Sequence, residues 1–452
     1  MKLYNRKKNW LHQLKPVQML FIFYFALVII STMLLSLPIS QQEGVDLPFI
    51  DVLFTAVSAV SVTGLSTISI ADSLSTAGII ILAVIMQFGA VGVMAIGTMI
   101  WLILGKKIGL KERRLIMTDQ NQSSIEGIVR LTKQVVFIFL FFELIGFLLL
   151  GTYFLQYFPN AKEAYLQGFF GTVSAISNGG FDITGNSLIF FQKDYFVQSA
   201  NMLLIIVGAI GFPVLIEVKE YIVSKKKRKF RFSLLTKVTS TTFFLLIAIG
   251  ALGIYLFDFR NYFAGLTWHE NLFYALFQSV TTRSGGLATL DVSQLTEENH
   301  LFMSILMFIG ASPSSAGGGI RTTTFALVVI FMITYIRGGK GIHVFRREVH
   351  EEDLVKAVTV TFMAILIFVA SVFVLSIVED FSLSQIIFEV TSAFGTVGLS
   401  LGITAELHTI SKIILMMLMF IGRIGILTFL FMFAAKKPKE RIRYPKERIS
   451  IG

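Results

Sequence analysis

Cysteine is absent from the 452 residues, which excludes a disulfide framework, a thiolate metal site and a thiol nucleophile. Charge is scarce: charged residues make up 15% of the chain, against 54% hydrophobic residues and 44 phenylalanines. Two or three soluble domains of this total length would need more charge at their surfaces. Catalytic signatures are missing as well. There is no HExxH, no G-x-x-x-x-G-K-[ST] and no G-x-S-x-G, and no two acids share a motif suited to acid–base work. The six histidines (His12, His269, His300, His343, His350, His408) are scattered without metal-ligand spacing. An enzyme is not expected. Nor is a cleavable signal peptide, because the basic start leads into an apolar segment too long for one.

What the chain has instead is apolar runs of about twenty residues, the length that crosses a hydrocarbon core as a helix. They cover 19–37, 78–104, 135–154, 196–218, 239–257, 303–335, 358–378 and 410–433. Net charge is +11, and 32 of the 39 Lys and Arg residues fall in 1–16, 105–133, 219–237, 337–356 and 436–448. That asymmetry is the positive-inside pattern, so these segments and both termini are expected in the cytoplasm, against anionic lipid and not nucleic acid.

Four stretches align without gaps: FTAVSAVSVTGL, FGTVSAISNGGF, LFQSVTTRSGGL and FEVTSAFGTVGL, in register on Gly64, Gly180, Gly286 and Gly398. A Ser-Ala pair precedes three of these glycines, with Val280-Thr281 as the outlier. Downstream, QFGAVG, IVGAIG, MFIGAS and MFIGRIG align on Gly89, Gly208, Gly310 and Gly422. Two matched sets in the same order define a repeat. Each unit reads as a membrane helix, a short helix such as 50–62, a glycine turn and a second membrane helix. The fold class is thus an all-α polytopic membrane protein, with four membrane-pore-membrane repeats around a pseudo-fourfold central pore. Repeats are expected at 17–104, 134–218, 238–336 and 357–435. Between them lie linkers 105–133, 219–237 and 337–356, with an N-terminal segment 1–16 and a tail 436–452. Non-helical backbone at membrane depth is tolerable only inside protein or along a water-filled path, which four converging turns would provide.

The turns offer backbone rather than acid or base: Val62-Thr63-Gly64, Asn178-Gly179-Gly180, Ser284-Gly285-Gly286 and Thr396-Val397-Gly398. Glycine lets successive carbonyls face an axis, and rings of carbonyl oxygens can replace the hydration shell of potassium. These twelve residues are the candidate cation filter, with single glycines that merely cap or pack as the bland alternative. The stretch Gly310-Ala311-Ser312-Pro313-Ser314-Ser315-Ala316-Gly317-Gly318-Gly319 interrupts a span where the other repeats read as continuous helix, and it is the candidate gate. Arg423 stands where the other repeats have Ala90, Ala209 and Ala311, and is expected to meet the broken helix or set a barrier in the pore. Arg283 is expected to brace the third turn, and Arg321 to snorkel toward the cytoplasm. Asp51 and Glu389 read as caps of short helices; Glu143 and Glu217 lie in spans.

On these turns, the broken-helix stretch, MFIGRIG and the tail Ile442-Arg443-Tyr444-Pro445, the chain closely resembles the Trk/Ktr/HKT superfamily of potassium transporters. Within it, the likeness is to the membrane subunit (KtrB type) of bacterial Ktr systems. The resemblance implies potassium uptake across a bacterial plasma membrane, a homodimer and a cytosolic nucleotide-binding regulatory ring (KtrA/KtrC type). No cofactor is expected on this chain beyond potassium ion at the filter, with sodium a second candidate. The alternative is an alternating-access secondary transporter coupled to sodium or protons.

Overall fold

The computed structural model describes residues 14–105, 107–120, 125–225, 227–339, 341–433, 445 and 447; residues 1–13 and the tail residues Ile442, Arg443 and Tyr444 lie outside them. The first repeat comprises α1 (Pro16–Leu35), α2 (Phe49–Ser61), α3 (Thr76–Val91) and α4 (Val93–Ile103), followed by a linking helix α5 (Leu110–Asp119). The second comprises α6 (Ile128–Phe154), α7 (Ala161–Ser177), α8 (Tyr195–Ala209) and α9 (Phe212–Val223). The third comprises α10 (Leu234–Asp258), α11 (Trp268–Thr281), α12 (Glu297–Phe308) and α13 (Thr322–Ile336). The fourth comprises α14 (Glu351–Val378), α15 (Leu383–Gly395), α16 (Thr409–Ile424) and α17 (Ile426–Phe433). Among the described residues, a two-stranded hairpin, His343–Val344 with Arg347–Glu348, is the one sheet in a mainly helical fold.

Burial sorts these helices into layers. The long openers α1, α6, α10 and α14 are apolar enough to cross a membrane, yet only 22–33% of their apolar windows is buried. Phe25, Leu140, Leu245 and Phe362 on them stay exposed, a surface fit for lipid. The short helices α2, α7, α11 and α15 run the other way, with nearly every residue of their last two turns buried. At 1.5 Å per residue, the thirteen residues of α2 reach about 20 Å, too short to cross. Starts are marked by sequence: capping boxes Thr267/Glu270 and Ser382/Gln385 open α11 and α15, and Asp194 accepts from Phe196 N and Val197 N at α8. Close packing of α6 on α7 needs Gly151 opposite Gly168, where an added Cβ would lie 2.5 Å from the facing backbone.

The continuous second span expected outside the third repeat is not what forms. Breaks occur in all four repeats: α3 and α4 meet at 100°, α8 and α9 at 105°, α16 and α17 at 101°. The corner residue is Gly92, Gly211 or Gly425, each three residues past the aligned glycine, with φ of +96°, +100° and +93°. Only glycine adopts that conformation without strain, so hydropathy runs on while the chain turns. In the third repeat the corner is replaced by a non-helical loop between Phe308 and Thr322.

One ion pair ties the last repeat to the first. Lys412 Nζ lies 2.9 Å from Asp51 Oδ1, with side chains only 10% and 14% exposed. Lys412 sits in the first turn of α16, and Asp51 is more than a helix cap. Lys412→Met should leave Asp51 unpaired and cost about 3 kcal/mol, while Lys412→Met with Asp51→Asn should cost clearly less. Thermal unfolding midpoints of the two purified variants check this; equal losses would mean the pair is not what joins the repeats.

Candidate functional site

Three of the four short helices end alike. Val62, Asn178 and Thr396 close α2, α7 and α15 in the left-handed conformation, and the next residue donates back to the carbonyl of Ser58, Ser174 or Ser392 (Thr63 2.8 Å, Gly179 2.7 Å, Val397 2.9 Å). The same serine side chains bind the turn itself. Ser58 Oγ and Ser392 Oγ accept from Gly64 N and Gly398 N at 3.0 and 3.1 Å, and Ser174 Oγ donates to Phe181 O at 2.6 Å. This explains the serine of the repeated Ser-Ala pair. The outlier repeat uses Thr281, whose Oγ1 donates to Leu287 O at 2.6 Å.

The four turns meet. An added Cβ on Gly64 would lie 2.8 Å from Gly180 Cα, one on Gly180 2.9 Å from Gly286 Cα, and one on Gly398 3.1 Å from Gly64 Cα. The carbonyls of Thr63, Gly179 and Val397 lie against these glycines. All four glycines have positive φ, from +68° to +98°, so Cβ contact and backbone strain both exclude larger residues. Four helices thus direct their C-terminal ends at one ring, each with partial negative charge equivalent to roughly half an electron. Such a ring favours a cation. On one side it opens into a vestibule of about 330 Å³, whose lining includes Asp182 and Asp291.

Against the opposite side packs the 310–319 stretch. Gly317 lies against Ser284 and Gly318 against Thr396, two residues from the ring glycines. Ser284 Oγ also donates to Thr396 O at 2.5 Å, joining the third and fourth turns. The second repeat, the first linker and the fourth repeat hold the loop. From the second, Ala209 O accepts from Ser312 N at 3.0 Å, Gly208 O from Ala316 N at 3.0 Å, and Phe212 N donates to Ser314 O at 2.8 Å. From the linking helix after the first, Gln120 O accepts from the Ser314 hydroxyl. From the fourth, Arg423 donates to Ser315 O at 3.3 Å and to Ala316 O, while its other nitrogen reaches Gly89 O and, at 2.9 Å, Ala90 O. Gly310 and Ala311 close the loop on Gly318, and Pro313 with Gly319 lines a second cavity of about 540 Å³ beyond it.

Two other intramembrane charges behave differently. Arg283 is fully buried and donates to Ile309 O at 2.7 Å and to Leu306 O, so it grips the frayed end of α12 behind the third turn. Arg321 does not snorkel. It folds back on Ser312 O (3.4 Å) and Gly317 O, because the unwound loop leaves carbonyls without helical partners.

Other site residues escaped the sequence. Glu389, read as a cap, lies in the middle of α15 and accepts from Leu401 N at 3.2 Å, Thr404 Oγ1 at 3.0 Å and the Ser400 hydroxyl, fixing the segment that follows Gly398. Its partners are eleven to fifteen residues away, beyond any helical spacing. The aligned Gly89, Gly208 and Gly422 prove to admit the carbonyls of Val60, Ile176 and Phe394, each four residues before a ring glycine. Among the described residues no group of three His, Asp or Glu side chains is placed to hold a metal ion.

A fourfold ring of backbone, enclosed by short helices and ringed by lipid-facing spans, defines a polytopic membrane protein built to pass ions. Residues 7–444 match the TrkH family model, described as a cation transport protein. The chain belongs to that family. It is 56% identical over 439 residues to the Ktr system potassium uptake protein D of Bacillus subtilis (strain 168), covering 97% of this chain and 98% of the relative. It is 38% identical to the Ktr system potassium uptake protein B of the same organism, covering 97% of each. The crystal structure of the potassium transporter TrkH from Vibrio parahaemolyticus shares the fold, with TM-score 0.72 and 18% identity over 94% of this chain and 86% of that one.

A matched pair of substitutions separates crowding at the ring from backbone strain. Gly286→Ala adds a methyl 2.5 Å from Gly180 Cα at φ +74°, whereas Gly265→Ala adds one at φ +85° with nothing within 4 Å. Cation flux into proteoliposomes should fall at least about tenfold for the first and little for the second. Similar flux from both would show that the ring tolerates a side chain.

Proposed function

We propose that the chain takes up potassium across the bacterial plasma membrane, with Gly64, Gly180, Gly286 and Gly398 and the two residues before each as a carbonyl-lined filter. The reading rests on one observation, the meeting of these four glycines at the ends of four helices. Potassium sheds its water when several neutral oxygens replace the hydration shell at once, and helix C-termini add a negative potential without a fixed charge to trap the ion. The relatives' names support this ion: two are potassium uptake proteins, and a third, 33% identical, is the potassium/sodium uptake protein NtpJ of Enterococcus hirae. The basic linkers and both termini then face the cytoplasm.

The loop 310–319 with Arg423 is the gate in this reading. Its hydrogen bonds to neighbouring groups are partly charge-assisted and each worth about 1 kcal/mol net, together several kcal/mol, a range that a regulatory partner can supply. That partner is a cytosolic nucleotide-binding ring of the KtrA or KtrC type, acting on a homodimer of this chain; the word "system" in the relatives' names supports a separate component. A sodium- or proton-coupled alternating-access transporter is the competing reading. Since all four repeats are broken, a break no longer distinguishes the two; the in-register match of four turns favours a fixed filter.

Two measurements test the filter and the gate separately. Gly64→Ser should narrow the preference for potassium over sodium in radiotracer flux, because Gly180 backbone already occupies the space its side chain needs. Unchanged preference in folded protein removes Gly64 from the filter. Deleting 312–318, or Arg423→Ala, should raise flux of the purified chain without any partner while keeping potassium preference. Flux no higher than that of the unaltered chain places the gate elsewhere.

A further inference from the structure

We propose that Asp119 is a positioning residue for the gate: its carboxylate receives the Arg423 guanidinium when the loop 310–319 is released, so the arginine moves between two built sites. This inference rests on the gate reading above. Asp119 ends α5, a linking helix outside the spans, yet its carboxyl is turned inward. Tyr24 Oη donates to Asp119 Oδ1 at 3.1 Å, and Met94 N, at the start of α4, donates to Oδ2 at 3.1 Å. The next residue fastens the same end: Gln120 Nε2 donates to Val91 O at 2.9 Å, and Gln120 O accepts from the gate's Ser314 hydroxyl.

Asp119 and Arg423 line one small cavity of about 20 Å³, together with Tyr24, Ser315 and Arg321. That is room for a single water. No ion pair joins Asp119 to either arginine in this arrangement, since both Arg423 terminal nitrogens are spent on carbonyls of the loop and of Gly89 and Ala90. When the loop leaves, the guanidinium loses acceptors in a poorly solvated place, where an unpaired charge is costly. Its bonds to Gly89 and Ala90 tether it beside Gly92, the corner glycine whose α-carbon faces Asp119 Oδ2. A carboxylate has about four acceptor positions, and two remain open here for a guanidinium fork.

The ionisable groups facing Asp119 are Tyr24 from α1, Arg423 from α16 and Arg321 ahead of α13. Burial raises its carboxyl, against the pull of the Arg423 charge and its hydrogen bonds, to about 6. The acid therefore stays mostly ionised at neutral pH and is stabilised further as the guanidinium approaches.

The test is potassium uptake by cells whose sole potassium uptake route is this chain with its native partner, read as maximal rate and half-saturating concentration. Asp119→Asn keeps the shape and one acceptor oxygen, for Met94 N, while its amide nitrogen can donate to Tyr24 Oη, but it loses the charge. It should lower the maximal rate roughly tenfold with half-saturation unchanged, as expected for a coupling between two sites. In an Arg423→Ala background the same substitution should change nothing, and Asp119→Glu should restore part of the rate. An equal fall in both backgrounds makes Asp119 a structural anchor only and overturns the proposal. If Arg423→Ala itself fails to raise partner-independent flux, the gate reading fails first, and this proposal with it. Should Asp119→Asn not fold, Tyr24→Phe, which frees one carboxylate oxygen for the guanidinium, should raise partner-independent flux of the purified chain; unchanged or lower flux also overturns the proposal.

Discussion

Unpaired backbone at membrane depth is the constraint from which the rest of this structure follows. Lipid satisfies neither N–H nor C=O, so each departure from helix must be enclosed and given partners. Among the described residues within the repeats, such enclosed departures are found at the four glycine turns, at the three corners and at the loop 310–319. The turns are answered by the serine side chains at the ends of α2, α7 and α15, and by each other. The loop is answered by carbonyl and amide groups of α8 and α9 and by Arg423. Convergence on an axis is thus one of the few arrangements that lets four interrupted units coexist in one membrane protein.

The same constraint accounts for the buried cations. A guanidinium offers five donors in a rigid fork and no acceptor, which suits a place with surplus carbonyls. Arg283, Arg321 and Arg423 each donate to carbonyls freed by the interruption of the third repeat, at Leu306 and Ile309, at Ser312 and Gly317, and at Ser315 and Ala316. These charges belong to the broken helix rather than to the bilayer. Glu389 plays the converse part beside the fourth turn, where freed donors collect.

Much of the fold was legible because repetition and hydropathy are local signals. The short helix expected at 50–62 forms at Phe49–Ser61, and the four aligned glycines meet. The corners were not legible. Val93–Ile103 and Phe212–Val223 continue the apolar runs, and the only mark was a second glycine at Gly92, Gly211 and Gly425, whose φ no hydropathy pattern reveals. Partners distant in sequence were equally hidden: Asp51 finds Lys412 across the whole chain, and Glu389 reads like any acid near a helix start until the segment after Gly398 folds back onto it. The serine of the Ser-Ala pair was visible as a pattern, but its bond to the turn required geometry.

Because the ring of Gly64, Gly180, Gly286 and Gly398 is central, its occupancy by ions is the most direct thing to measure. Crystals of the full chain grown in rubidium or thallium salts would locate bound ions by anomalous scattering. A carbonyl filter gives peaks on the axis between the four turns, displaced by excess potassium and far less readily by sodium. Peaks confined to carboxylates such as Asp182 and Asp291, with none on the axis, would contradict a backbone filter.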